Sequence, residues 1–328
     1  MKLFFIRVQV ILFLGCFFSL VAHASEPYPT IEQILKLPED QIDLGVSALV
    51  IEKQYHTDIN ITSSLKKIDE IVRTIQKMPE YGDTSLEKMG TVLKYFYTPS
   101  EWNQYKVYQY DLDDLKGRKN PVSTVHYLLN NRYGNCLSLP TLLTVVGQRL
   151  GVDIKLAIAP SHVYAHYKGD DGSITNIEAT SGTLLSDSSY IRSLGIHPDA
   201  IGNEIYLQSL SKKQAVAVLL VELSRHYMHK KDYENAEKIA NLALSHHPKL
   251  TRAMLVKGNI YSLLLQNELA RLKSINQPIG VEQRRYLDPL YQKNIAWFEK
   301  AEELGWRQPP PDFDEKYKQS IEQFKNRR

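Results

Sequence analysis

Residues 135–180 read NCLSLPTLLTVVGQRLGVDIKLAIAPSHVYAHYKGDDGSITNIEAT, and the spacing of their apolar residues changes at Gly151. Before Gly151 they recur at helical spacing behind Asn135, a residue type that commonly caps the start of a helix. After Gly151 they alternate with polar residues, which predicts three short antiparallel strands. Because Pro140 lacks a backbone N–H, the helix could instead begin nearer Ser138. The stretch indicates an α+β fold.

Three residues in this stretch have the chemistry of a thiol enzyme. Cys136 is predicted in the first turn of the helix, where free N–H groups and the helix dipole favour a thiolate. His162 opens the second strand and Glu178 comes late in the third. In nucleophilic thiol chemistry a histidine takes the thiol proton and later returns it to the leaving group, while an acid orients the imidazole.

The partner of Glu178 across the predicted hairpin depends on the length of the turn at 169–172. Three turn geometries are compatible with this sequence, and they place His162, His166 or Ala165 directly opposite Glu178. A bulge would change the parity, so the pairing stays open from the spacing alone. His166, on the same strand face as His162, is therefore the reserve base.

The composition excludes several classes of protein. The chain has 328 residues and a formal net charge of +3, without a long run of like charge, so nucleic-acid binding is not expected. Its two cysteines, Cys16 and Cys136, are too few for a disulfide scaffold or a four-cysteine zinc site.

Residues 1–24 have the layout of a secretory signal peptide: two cationic residues, an apolar run over 8–21 and Ala-His-Ala at 22–24. A lipoprotein signal around Cys16 is less consistent, because apolar residues follow it; an uncleaved anchor stays open. Cleavage after residue 24 would leave Cys136 as the single cysteine of an exported, periplasmic or secreted protein. No later segment is apolar and long enough to cross a membrane.

The residues that follow the apolar start predict helices. Thr30 precedes a helical apolar pattern, the apolar residues between Leu65 and Ile75 share one helix face, and residues 84–87 (TSLE) form a capping-box pattern. Residues 101–121 are polar and rich in tyrosine without a clean period. They predict a long loop that could lie over a cleft.

From about Leu44 to Gly182 the chain resembles the bacterial transglutaminase-like core of the SirB type, usually followed by tetratricopeptide repeats. Five segments carry the resemblance, namely 43–51 (DLGVSALVI), 135–139 (NCLSL), 148–152 (QRLGV), 159–162 (APSH) and 176–182 (NIEATSG). The resemblance implies a papain-like fold with Cys136 as nucleophile, His162 as base and Glu178 as orienting acid. The family's acid is usually aspartate, and glutamate is one methylene longer.

Other groups are weaker candidates. The backbone N–H of Cys136 is a first candidate donor to an oxyanion, and Asn135, Asn120 or a side chain in the 101–121 loop is a candidate for the second. His162, His166 and Glu178 could also be considered as metal ligands, but they form no recognised zinc spacing, so no metal and no cofactor is predicted.

Beyond about residue 210 the pattern fits tetratricopeptide-like repeats. A shift of 34 residues takes Ser224 to Gly258, Tyr227 to Tyr261 and Ala236 to Ala270. With about two units, packing against the core is favoured over a dedicated peptide groove. The predicted organisation is a signal peptide over 1–24, a transglutaminase-like domain over 25–185, a linker over 186–210, helical repeats over 211–310 and a charged tail over 311–328.

Two functions follow as hypotheses. The first is an exported cysteine-dependent amidase, peptidase or acyltransferase that acts on a protein or peptide substrate through Cys136, His162 and Glu178. The second is a catalytically inactive scaffold or binding protein of the cell envelope, with a protein partner on the helical repeats.

Overall fold

A computed structural model describes residues 28–114 and 121–309, together with Glu315 and Gln319. The predicted signal peptide, Asn120 and nearly all of the predicted charged tail lie outside the described residues. No helix among the described residues is long and apolar enough to span a membrane.

Among the described residues, six α-helices lie in the first half of the chain. They are α1 (Ile31–Lys36), α2 (Leu44–Lys53), α3 (Ile61–Ile75), α4 (Ser85–Tyr97), α5 (Val125–Asn131) and α6 (Ser138–Arg149). Thr30 and Thr84 form the capping boxes of α1 and α4, and one face of α3 is buried, which confirms these predictions. Helix α6 is buried from Ser138 to Gly147, so it is the central element of the core.

The described residues contain six strands, two of them between helices of the first half. They are β1 (Gln109–Tyr110), β2 (Tyr133–Gly134), β3 (Ile154–Ala159), β4 (His162–Lys168), β5 (Ile174–Glu178) and β6 (Thr183–Leu185). The last four form an antiparallel sheet in sequential order, which confirms the three predicted strands and adds β6. The first two form a short parallel pair, so the predicted 101–121 loop contains a strand.

The register between β4 and β5 differs from all three predicted pairings. His166 faces Asn176 and Ala165 faces Ile177, so Glu178 comes opposite Tyr164 when the pairing is continued by one residue. The N–H of Gly169 donates to the carbonyl of Ser173, and this hydrogen bond closes the turn between β4 and β5. The resulting register lies between those of the three predicted pairings. His162, His166 and Glu178 still share one face of the sheet, because side chains alternate along each strand.

The segment over 186–210, predicted as a linker, instead contains two helices and packs against the core. They are α7 (Asp187–Leu194) and α8 (Pro198–Gly202), and Tyr190 and Ala200 are buried in them. Beyond α8, the N–H groups of Leu207 and Leu210 donate to carbonyls of β3 at 3.0 and 2.8 Å. The segment therefore covers the outer edge of the sheet.

Four long helices complete the described chain: α9 (Lys212–His229), α10 (Tyr233–His246), α11 (Thr251–Ser274) and α12 (Val281–Glu303). Consecutive helices pack as two hairpins, and α9 also packs against α2 of the first half. Buried Ser224 donates to the carbonyl of Ala236 at 2.6 Å, and Gly258 lies against the ring of Phe298.

The predicted equivalence of Ala236 and Ala270 is wrong. Ala236 is buried near the start of α10, whereas Ala270 is exposed within α11. Helix α11 is longer than α9, so the second helix of its hairpin begins only at Val281. A shift of 34 residues from the start of α10 therefore falls inside α11 and does not reach the second helix of its hairpin.

Candidate active site

Cys136 lies in a tight turn between β2 and α6, and its side chain is half-buried. Asn135 caps this turn, because its Oδ1 accepts hydrogen bonds from the N–H groups of Leu137 and Ser138 at 2.9 and 3.2 Å. The helix begins at Ser138, which confirms the alternative start that Pro140 indicated, so Cys136 lies two residues before the helix and not in its first turn. With Pro140 at the third helical position, the missing proline N–H falls where helix N–H groups have no intrahelical partner.

Ser138 holds the turn in place. Its hydroxyl donates to the carbonyl of Val122 at 2.6 Å and accepts the N–H of Asn135 at 3.1 Å. Gly134 is required directly before the turn, because a Cβ there would come within 2.5 Å of the Ser138 Oγ. The position of the thiol is therefore fixed by short polar contacts rather than by a regular helix start.

His162 and Glu178 form a buried pair on the same face of the sheet. The Nε2 of His162 lies 2.6 Å from Oε2 of Glu178, and both side chains are about 10% exposed. Because Tyr164 lies opposite Glu178, the contact runs diagonally to a residue two positions along β4. Such diagonal neighbours are about 7–8 Å apart at the backbone, within reach of long side chains.

Glu178 accepts hydrogen bonds on both of its carboxylate oxygens. Oε1 accepts the N–H of Thr180 at 3.1 Å and its hydroxyl at 2.6 Å, and Oε2 accepts the hydroxyl of Tyr190 at 2.9 Å in addition to His162. A buried carboxylate with this many donors is stable in its ionised form.

The electrostatics of the pair favour opposite charges. Burial alone would raise the pKa of Glu178, but the charge of His162 and the hydrogen bonds from His162 and Thr180 outweigh it and hold this pKa well below its usual range. Burial alone would lower the pKa of His162, but the charge of Glu178 and hydrogen bonds to Cys136 and Glu178 outweigh it, so this pKa is raised. The imidazolium–carboxylate form is therefore the stable one near neutral pH.

Cys136 lies on the other side of the imidazole. Its Sγ is 4.0 Å from the carbonyl oxygen of Ser161, the residue before His162, and its side chain makes a hydrogen bond that contributes to the raised pKa of His162. Since Nε2 of His162 is engaged by Glu178, Nδ1 is the nitrogen left for the thiol. The three predicted residues are thus brought together in the order thiol, imidazole, carboxylate.

The reserve base His166 is engaged elsewhere. Its Nδ1 lies 2.9 Å from the hydroxyl of Ser209, and its Nε2 lies 3.2 Å from the hydroxyl of Tyr164. Burial lowers the pKa of His166 and keeps the imidazole neutral. Within the described part of the chain, no hydrogen bond joins His166 to Cys136 or to Glu178.

The candidate oxyanion donors differ in availability. Among residues 28–114 and 121–309, the N–H of Cys136 has no hydrogen-bond acceptor, so it is free to donate. The backbone N–H of Asn135 already donates to Ser138, and its side-chain oxygen is occupied by the cap, which leaves only the amide Nδ2. The third candidate, Asn120, lies outside the described residues.

Thr180 and Tyr190 belong to the site but were missed in the sequence. Thr180 could have been found, because a threonine two residues after an acid can return a hydrogen bond to its carboxylate. Tyr190 carries no such signal, since it lies in the stretch read as a linker and reaches Glu178 only through the packing of α7. No group of three or more potential metal ligands is close enough to hold a metal ion among the described residues.

Residues 62–221 match a family model described as the transglutaminase-like superfamily. This stretch includes all the residues of the site described above and ends within α9. The chain therefore contains a transglutaminase-like superfamily domain, and its mixture of helices and small sheets is consistent with such a core. No curated protein matches the chain.

Proposed function

We propose that the transglutaminase-like domain of this chain is a thiol enzyme that acts on amide bonds, with Cys136 as nucleophile, His162 as base and acid, and Glu178 as orienting carboxylate. One observation carries the proposal: a half-buried thiol adjoins an imidazole whose far nitrogen is bonded, at 2.6 Å, to a fully hydrogen-bonded carboxylate. Buried acid–base pairs of this kind are costly to maintain and are found preferentially at functional sites.

The reaction would proceed in two steps. In the imidazolium–carboxylate form of the site, the proton from the Cys136 thiol is already held on Nδ1 of His162. The thiolate attacks the amide carbonyl carbon, whose oxygen becomes an oxyanion that the N–H of Cys136 can stabilise. The C–N bond breaks as His162 gives its proton to the leaving amine, leaving a thioester. Water or a second amine then loses a proton to His162 and attacks the thioester, which releases the thiolate.

The wider setting of the enzyme is also part of the proposal. The apolar start of the chain supports export to the periplasm or beyond, and a protein or peptide is the substrate class that the resemblance to SirB-type cores favours. Helices α9–α12 would be tetratricopeptide-like hairpins, which support the core through α2 and could offer a surface to a protein partner.

Alkylation of Cys136 by iodoacetamide, followed in the full-length protein from about pH 5 to about pH 9, tests the proposal. An activated thiol keeps its reactivity toward the acid side, and we expect His162→Ala to reduce the rate near neutral pH at least about tenfold. His166→Ala is the matched control, since it removes a buried imidazole from the same strand face without touching the thiol, and should leave the rate unchanged.

The proposal would be contradicted if the alkylation rate of Cys136 depended on pH as it does for an ordinary thiol and His162→Ala did not alter that dependence. That result would favour the second hypothesis, a catalytically inactive scaffold of the cell envelope. Thermal unfolding of both variants separates a loss of activation from a loss of fold.

A further inference from the structure

Tyr190 and His162 donate to the same oxygen atom of Glu178. The hydroxyl of Tyr190 lies 2.9 Å from Oε2, and Nε2 of His162 lies 2.6 Å from it. Tyr190 is buried and comes from α7, outside the sheet that carries the other two residues. Burial and the charge of Glu178 raise the pKa of Tyr190, so the phenol keeps its proton and acts only as a donor.

The orientation of the carboxylate does not depend on Tyr190. Thr180 fixes Oε1 through its N–H and its hydroxyl, at 3.1 and 2.6 Å. The position of the Tyr190 ring is likewise independent of its hydroxyl, because the ring stacks on Tyr164 with centroids 4.3 Å apart. Loss of the hydroxyl alone would therefore leave the carboxylate and the ring in place.

What the hydroxyl changes is the charge that Oε2 offers to the imidazole. A donor on an anionic oxygen takes up part of its negative charge and stabilises the ionised carboxylate. The carboxylate is therefore a weaker partner for the proton on Nε2.

We propose that Tyr190 is a positioning residue that acts through Glu178, limiting how strongly the carboxylate holds His162 in its protonated form. Its value for catalysis rests on the proposed function. In the first step of that reaction His162 is cationic, but in the second it must be neutral to take a proton from water. If the carboxylate kept His162 protonated throughout, no base would be available to take the proton from the water that attacks the thioester.

Tyr190→Phe in the full-length protein tests the inference, with the pKa of His162 measured by NMR of the imidazole Cε1–H and assigned by its absence in His162→Gln. We expect this pKa to rise by about half to one unit in Tyr190→Phe. Tyr164→Phe is the matched control: it removes the hydroxyl of the stacked ring, which contacts His166 and not Glu178, and should leave the pKa of His162 unchanged.

The sign of the shift decides between two roles. If Tyr190 mainly held the carboxylate in place, its loss would weaken the contact and lower the pKa of His162. A fall, or no change, would therefore overturn the inference. If Tyr190→Phe does not fold, site-specific replacement of Tyr190 by 3-fluorotyrosine, a stronger donor, gives the same test with the opposite expected sign.

A second measurement separates this inference from the proposed function. With p-nitrophenyl acetate, the thiolate of Cys136 would displace p-nitrophenolate and form an acetyl thioester, which water then hydrolyses to acetate. We expect Tyr190→Phe to slow the steady-state rate about three- to tenfold near neutral pH and to shift its pH profile upward with the pKa of His162. If the wild-type protein forms no thioester, the proposed function fails, while the pKa of His162 still decides the role of Tyr190.

Discussion

Glu178 reaches His162 across a diagonal of the sheet, and the length of its side chain is what makes this contact. The register places Tyr164, not His162, opposite Glu178, so the carboxylate must extend along the strand direction as well as across it. Glutamate has one methylene more than the aspartate that is usual at this position in the family that the chain resembles. This additional length allows the carboxylate to reach His162 along the diagonal.

Glu178→Asp should therefore break the pair even though it keeps the charge. The carboxylate would retract by about one carbon–carbon bond, about 1.5 Å, and lose its bond to Nε2 of His162. We expect the alkylation rate of Cys136 near neutral pH to fall about tenfold. Glu32→Asp, an exposed change in α1, controls for the substitution itself. Retention of the wild-type rate in Glu178→Asp would show that the diagonal does not require glutamate.

The identities of the candidate residues were accessible from the sequence, but their contacts were not. The helix–strand–strand order of residue types indicates Cys136, a histidine of the second strand and Glu178, and the family resemblance selects His162 over His166. The pairing of β4 and β5 depends on how the backbone closes between Gly169 and Ser173, and a change of one residue there moves every partner.

At the scale of the elements, side-chain caps made the starts of two helices predictable, whereas α7, which has no such cap, was not predicted. The capping boxes of α1 and α4 mark their starts in the sequence. Helix α7 begins within a run of serines and an aspartate, residue types that are equally common in loops, and Ser186 makes no side-chain cap bond to it. The ring of Tyr190, buried and stacked on Tyr164 of the sheet, is what holds α7 against the core.

The hairpin of α11 and α12 depends on close packing at Gly258. A Cβ there would come within 2.6 Å of the Phe298 ring. We expect Gly258→Ala to lower the free energy of unfolding by about 1 to 3 kcal/mol, measured by urea denaturation, because the ring must shift. Gly90→Ala in α4 is the matched control: its Cβ meets nothing within 4 Å, so alanine should be neutral or stabilising. Equal effects of both changes would contradict the close contact.

At the scale of the whole molecule, a buried carboxyl lies where α2 meets α5 and α9. Glu52 of α2 accepts the N–H groups of Val125 and His126 at 2.7 and 3.1 Å, so it caps α5 from a distance. Burial raises its pKa to about 8 in spite of these two donors. The nearby phenol of Tyr55 has a raised pKa as well, because of burial and of the charges of Glu52 and Glu222.

This carboxyl should make stability depend on pH. The folded protein keeps a proton on Glu52 that the unfolded chain releases above its usual pKa of 4.5, so the stabilisation is complete below about pH 4.5 and lost as the pH rises through about 8. We expect the free energy of unfolding to fall over this range by about 5 kcal/mol more than in Glu52→Gln. Parallel curves for the two proteins in urea denaturation would contradict the buried, protonated carboxyl.

The segment over 186–210 has a consequence for how the chain can be divided. Its helix α7 supplies Tyr190 to the site, and its last residues occupy the otherwise open hydrogen-bonding edge of β3. A fragment that stopped at residue 185 would expose that edge, and exposed strand edges recruit other chains into aggregates. The smallest autonomous unit that contains the site must therefore extend at least to Leu210. A boundary at residue 185, drawn from composition alone, would remove Tyr190 from the site and uncover the edge of β3.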